Sequence, residues 1–273
     1  MWHRKLIIAL ALCLVVASAV FAEQEKWYEL NRQAMMLYRQ GKLAEAISIG
    51  HQGLEFAEKS FGMNHANVAK SLDTLAWLYR TQKKYAEAEP LLQRLLVIRE
   101  KALGPEQPDV TESLDTLAWL YLNQKKYAEA EPLLKRSLAI REKTLGPEHL
   151  NVANSLDDLA MLYGSQEKFA ETEPLYKRSL TIREKALGPE HPDIGKSLNM
   201  LGLVYGCQRK YLEAEPVLKR SLTIREKALG PEHPDVLRSL NDLAMLYKKM
   251  GKAEEASQLE ERANEIKSLL RNR

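Results

Sequence analysis

Apolar residues recur along the chain at three- and four-residue steps. In NVAKSLDTLAWLYRTQ, Val68, Leu72, Leu75, Ala76 and Tyr79 share one helical face, with polar residues between them. In KYAEAEPLLQRLLVIREKALG, Tyr85, Ala88, Leu92, Leu96 and Leu103 do the same. The link around Gln82-Lys83-Lys84 is short, which predicts an antiparallel helix pair. No stretch keeps up the alternation of a strand. Pro90, Pro132, Pro174 and Pro216 stand about a turn and a half into the second helix. A proline there removes one backbone hydrogen bond and crowds the carbonyl four residues back. Either that helix begins later than Tyr85 or it bends; a bend in every unit is the reading adopted.

The pattern repeats every 42 residues. Gly62, Gly104, Gly146, Gly188 and Gly230 form one column, and Leu30, Leu72, Leu114, Leu156, Leu198 and Leu240 another. A third runs Ala46, Ala88, Ala130, Thr172, Ala214, Ala256. Six units follow, starting near residues 24, 66, 108, 150, 192 and 234. A fixed period of this length marks a solenoid, in which each unit covers its neighbour's apolar side. REKALGPEHPD at 183–193 returns at 225–235, with close variants at 99–109 and 141–151. In this joint Leu187 closes an apolar stripe, Gly188 offers the left-handed conformation that ends a helix, and Pro189 blocks continuation. Pro192 and Asp193 suit a new first turn, where proline loses nothing and an acid meets the positive helix end. Every letter but the histidine thereby receives a structural task.

The columns through Leu72, Leu75, Ala76, Tyr79, Ala88 and Leu92 resemble the tetratricopeptide repeat. The usual unit of that family has about 34 residues. The longer unit here, with its LGPEHPD joint, is similar to the repeats of kinesin light chains and their bacterial relatives. The resemblance covers about residues 24–273. It implies an all-α, right-handed superhelical solenoid of six helix-turn-helix repeats whose concave face binds peptide or protein.

The N-terminus departs from this pattern. His3, Arg4 and Lys5 precede an apolar run, Leu6 to Val20, and Val20-Phe21-Ala22 offers small residues for cleavage after Ala22. This is the layout of a secretory signal peptide over 1–22 and predicts a secreted, periplasmic or extracellular protein. The alternative is a membrane anchor formed by residues 6–22. Without residues 1–22 the chain carries 38 basic and 37 acidic residues, which gives no electrostatic case for nucleic acid. Cys207 is then the sole cysteine, so no internal disulfide forms.

Candidate chemistry is sparse. HExxH, CxxC, a phosphate-binding glycine loop and a GxSxG elbow are all missing, so neither an enzyme nor a cofactor is expected. His65, His149, His191 and His233 share a column, but helix axes about 8–10 Å apart keep such side chains from converging on one ion at about 2 Å. They are read as part of the joint or its cap, not as metal ligands. Cys207 occupies a tolerant position and reads as an incidental thiol.

The positions left free by the repeat lie on a first-helix flank through 70, 73, 77 and 80. By the resemblance, this flank faces the groove. The column at 73 reads Asn31, Asp73, Asp115, Asp157, Asn199, Asn241. In kinesin-light-chain-like repeats, asparagines matching this column hold the ligand's backbone. The three aspartates only accept hydrogen bonds, and so point to a ligand offering Lys, Arg or backbone N–H, or to a solvated acidic face. Lys70 begins the flank in the second unit, and Lys196, Arg238 and Lys248 make its last two units more basic. The column at 77 reads Trp77, Trp119, Met161, Leu203, Met245, apolar among polar neighbours; it serves either as a set of partner anchors or as packing between first helices. The expected function is that of an exported adaptor holding a peptide or protein partner. A self-associating envelope scaffold is the runner-up, and an enzyme with a diffuse site the third reading.

Overall fold

The computed structural model describes residues 2–271, with side chains from residue 20 onward. The described residues form twelve α-helices and no strand: α1 (Trp2–Arg39), α2 (Leu43–Phe61), α3 (Ala66–Thr81), α4 (Tyr85–Leu103), α5 (Pro108–Asn123), α6 (Tyr127–Leu145), α7 (Leu150–Ser165), α8 (Phe169–Leu187), α9 (Pro192–Cys207), α10 (Tyr211–Leu229), α11 (Pro234–Lys249) and α12 (Ala253–Arg271). They fall into two compact units, Met1–Lys126 and Tyr127–Arg273. Within the first, α1 to α5 pack each on the next, and α1 also touches α3. Within the second, α6 to α12 do likewise, and α9 also touches α11. This neighbour-on-neighbour packing is what a helical solenoid requires, since no single helix pair can cover its own apolar face.

The leader expected over 1–22 lies, apart from its helical backbone and residues 20–22, outside the described residues. α1 runs unbroken through residue 24, because no glycine or proline interrupts the stretch around it. Among the described residues no helix is long and apolar enough to cross a membrane.

First helices bury the face that the apolar spacing predicts. Val68, Leu72, Leu75 and Ala76 are sealed in the N-terminal unit, and Val152, Leu156, Leu159 and Ala160 in the C-terminal one. Second helices differ from expectation. Their buried line runs through Ala88, Leu92, Leu95 and Ile98, while Leu96 is half-buried and Leu103 is 45% exposed. Steps of four, three and three keep these residues on one side of a 3.6-residue helix; Leu96 lies on the flank of that side, and Leu103 is the last residue of α4. The prolines lie inside helices that already start at Tyr85, Tyr127, Phe169 and Tyr211, which excludes the later start.

Two joints alternate. The short one closes each first helix with a reciprocal pair of backbone bonds: Lys84 N–H donates to the Tyr79 carbonyl and Lys83 N–H to that of Arg80, both at 2.9 Å. This geometry needs a positive φ at its fifth residue. Gly41 and Gly251 supply it in the outer repeats, but Lys83, Lys125, Glu167 and Arg209 adopt φ of 58–59° in the inner ones. The long joint turns on Gly62, Gly104, Gly146, Gly188 and Gly230, all at positive φ. At Gly188 ψ is 157°, an extended mirror conformation open essentially to glycine alone, and not the helix-like left-handed one expected.

The histidine of that joint does have a task. His65, His149, His191 and His233 are N-caps, each accepting through Nδ1 the backbone N–H two residues on, at 3.1–3.2 Å. Gln107 stands at the same place in α5 without a side-chain cap bond. Among the described residues no cluster of ligating side chains could hold a metal ion.

Candidate functional site

Polar contacts recur at two places in each unit. At one, the glutamate before each second-helix proline meets a tyrosine or a lysine of the following repeat. Glu89 accepts from Lys126 at 2.7 Å and from the Tyr121 hydroxyl at 3.4 Å. In the C-terminal unit Glu173 binds Lys177 at 2.6 Å and Lys210 at 2.7 Å. Glu215 does the same with Lys219 and Lys252, both at 2.7 Å, and takes the Tyr247 hydroxyl at 3.1 Å. Hydrogen bonds from Lys177 and Lys210 hold the Glu173 carboxyl down at about 2. Lys219 and Lys252 hold Glu215 at about 2 in the same way.

At the other place, the arginine of each REK phrase donates to a serine of the following first helix, and Arg99 and Arg183 also reach the preceding one. Arg99 donates to Ser113 Oγ at 2.6 Å and lies 3.7 Å from Asp73 and 3.6 Å from Glu112. Arg183 meets Asp157 and the Asn154 amide oxygen, each at 2.8 Å, and Ser197 Oγ at 3.1 Å. Ser179 Oγ also donates to Asp157 at 2.5 Å. Arg225 donates to Ser239 Oγ at 2.7 Å and to the Asp235 carbonyl at 3.1 Å. These arginines are not among the candidate residues of the flank, although an arginine opens all four copies of the joint phrase.

The expected flank is therefore only partly free. The aspartates do not await a ligand's cation: Arg99 reaches Asp73 and Arg183 grips Asp157. Asp115 is half-buried on α5. Asn199 is 2% exposed and its amide donates to Asp242 at 2.7 Å, so it does not present its amide to solvent as a backbone clamp would. Asn31 is half-buried and turned onto the Trp27 carbonyl at 2.9 Å. Asn241 is exposed, as are Lys70, Lys196 and Arg238. Lys70 sits 5.9 Å from the Trp27 ring. Lys248 is ion-paired with Glu260 of α12. Arg238 pairs within its own helix with Asp235 at 3.5 Å.

The column at 77 divides between packing and exposure. Trp77 is half-buried, edge-on to Tyr38 of α1 at 4.4 Å. Trp119 is 37% exposed, with the Arg80 guanidinium 4.3 Å over its ring and Tyr85 edge-on at 6.1 Å. In the C-terminal unit Met161 is 42% and Met245 55% exposed, and Leu203 is half-buried. Met245 and Leu203 border a small cleft, about 70 Å³, whose wall includes Gly202, Gly206 and Cys207. Cys207 is exposed and unbridged.

A repeated pair of antiparallel helices, an interlocked polar edge and a partly open first-helix flank define a helical repeat protein. The model of the tetratricopeptide repeat family matches residues 28–101, 80–143, 120–185, 158–227 and 193–268, and the chain belongs to that family. Its repeats are scaffolds for protein–protein interaction. A crystal structure of nearly identical TPR-like repeats of a putative kinesin light chain from Podosopora anserina is 31% identical to this chain. The match covers 75% of this chain and 96% of that one, with a TM-score of 0.67. BtubC (BKLC) from P. vanneervenii is 22% identical over 85% of this chain and 93% of its own, with a TM-score of 0.71; at that identity the likeness is one of fold. A comparison with curated proteins found no match.

Proposed function

We propose that this chain is an exported adaptor that holds a peptide or protein partner on its first-helix flank. The observation that carries the reading is the exposure of large apolar side chains on an otherwise polar flank: Trp119 in the N-terminal unit, Met161 and Met245 in the C-terminal unit. Solvated packing residues would be cheaper as alanine or a charge; Trp and Met on a surface suit a partner's side chains. Their polar company, Lys70, Lys196, Arg238 and Asn241, supplies donors that fix orientation. Export rests on the basic, apolar and small-residue order of residues 3–22.

The test is affinity capture from the envelope compartment with wild type, Trp119→Ala and the pair Met161→Ala/Met245→Ala. A helical, monomeric protein that loses captured partner at least tenfold in either variant is expected. Full retention by both folded variants would remove the flank from the site. Concentration-dependent oligomers in light scattering, with no partner captured, would favour the self-associating scaffold instead. Detection of the chain with residues 1–22 intact in the cytosol would sink export.

A further inference from the structure

Every first helix after α1 receives the second helix of the repeat before it. Leu78, Leu120, Leu162, Val204 and Leu246 form one column on the receiving side, and none is more than 7% exposed. Leu78 shows the contact directly, standing against Gly50 of α2. In α1 the same column holds Met36, which is 48% exposed. The side that each later repeat covers is open here.

Met36 belongs to a stripe. Glu25, Tyr28, Glu29, Arg32, Met36 and Arg39 fall within about 100° of one side of α1, at about 100° per residue, and all six are exposed. Tyr28 is 54% exposed. Glu29 pairs with Arg32 of its own helix at 2.5 Å. Glu25 and Arg39 form no ion pair among the described residues. The N-terminal half of the stripe is thus acidic and its C-terminal half basic, with one large apolar side chain in each.

Such a stripe is complementary to itself when reversed. A second α1 laid antiparallel, with the two-fold axis at Arg32, sets Glu25 opposite Arg39 and Tyr28 opposite Met36 of the other copy. The two Arg32 side chains meet at the centre, where a Glu29 from each copy flanks them. A parallel copy sets like charge on like charge, which opposes association. Helix α12 of another copy is a poorer occupant. It carries Glu260 at the place where Leu92 is buried, and Lys248 already holds that carboxylate.

We propose that the exposed stripe of α1 is the surface through which two copies of this chain pair, as an antiparallel α1–α1 dimer closed at two copies. The surface lies within residues 25–39, outside the 1–22 leader, and shares no residue with the candidate flank. It goes beyond the adaptor reading: two joined copies offer a partner two flanks, and a partner with two sites gains from the effective concentration. A single helix pair buries less than the roughly 1,200 Å² of a standard interface, so the Kd is on the order of 10 to 100 micromolar. At the nanomolar concentrations of partner capture the chain is therefore monomeric.

The experiment is sedimentation equilibrium of the purified protein from about 1 to about 500 micromolar. The expected mass rises from one copy to two and stops there. Glu25→Arg/Glu29→Arg makes the stripe wholly basic, and Arg32→Glu/Arg39→Glu makes it wholly acidic. Each should stay helical, because all four positions are exposed, and each alone should weaken pairing at least tenfold. An equimolar mixture of the two should dimerise again, which a merely damaged fold cannot do. The chain carrying all four changes reverses both halves and should recover its own dimer. Wild type that stays one copy throughout, variants that dimerise as wild type does, or a mixture that stays monomeric would overturn the surface. Masses climbing past two copies would overturn it as well and point to an open array. Partner capture lost while the dimer persists would count against the adaptor reading alone.

Discussion

Arg183 and Arg225 occupy equivalent places in α8 and α10, yet their surroundings differ in kind. Arg183 is held by a carboxylate and an amide oxygen. Arg225 is held by a hydroxyl and a backbone carbonyl, and Asn199 binds Asp242 instead. A buried cation with partners is part of the architecture. The same cation without a carboxylate within 4 Å rests on neutral acceptors, with Asp235 and Asp242 acting on it from farther off. Near-identity between repeats therefore makes their exceptions informative, because whatever the fold needs is already satisfied next door.

Arg183→Met should have the largest effect. It takes the guanidinium from the half-buried Asp157 and the exposed Asn154 and is expected to cost about 2 kcal/mol in urea unfolding. Arg225→Met should cost about 1 kcal/mol or less, because only a hydroxyl and a carbonyl lose a partner and an uncompensated charge is removed. Equal losses would break the comparison.

Acid should act next. Glu173 and Glu215 titrate near 2 in the fold against an ordinary value of 4.5. The stability they contribute is full above 4.5 and is lost as pH falls from there toward 2. The lysine partners are substantially exposed, so each glutamate contributes about 1 kcal/mol. Glu173→Gln/Glu215→Gln should lose about 2 kcal/mol at pH 7 and flatten the acid limb of a pH-dependent melt. An unchanged acid limb would show that these lysine clamps do not join the repeats energetically.

The smallest effect compares two caps. His191→Ala removes a side-chain acceptor from the start of α9 and should cost about 1 kcal/mol. Gln107→Ala removes none from α5 and should stay within about 0.5 kcal/mol. Thermal melts of the two variants separate them; a loss at Gln107 matching that at His191 would refute the capping role of Nδ1.

The period, the helix pairs and the first-helix core are legible in the sequence, because 42-residue columns of Leu, Ala and Gly carry geometry directly. The second-helix stripe is misplaced at Leu96 and Leu103, where a leucine-rich run offers more than one apolar face. The histidines read in the sequence as part of the joint or its cap; the position of Nδ1 over the next turn makes them the cap. The flank reads as acidic and open because the aspartates stand in one column. Their partners, Arg99 and Arg183, lie 26 residues away in sequence, a spacing that no helical period announces. The left-handed Lys83, Lys125, Glu167 and Arg209 give no warning either, as none is a residue that favours such a turn.

The acceptor pair on α7 also bears on how so repetitive a chain finds its order. Near-copies of one hairpin can dock in the wrong sequence, a known hazard of tandem arrays. If α8 folded back on α9 in place of α7, Arg183 would be buried against Lys196 and Asn199. Asp157 and Asn154 would lose their guanidinium in the same event. Asn154 and Asp157 on α7, against Lys196 and Asn199 on α9, thus make the two first helices unequal hosts for the Arg183 guanidinium.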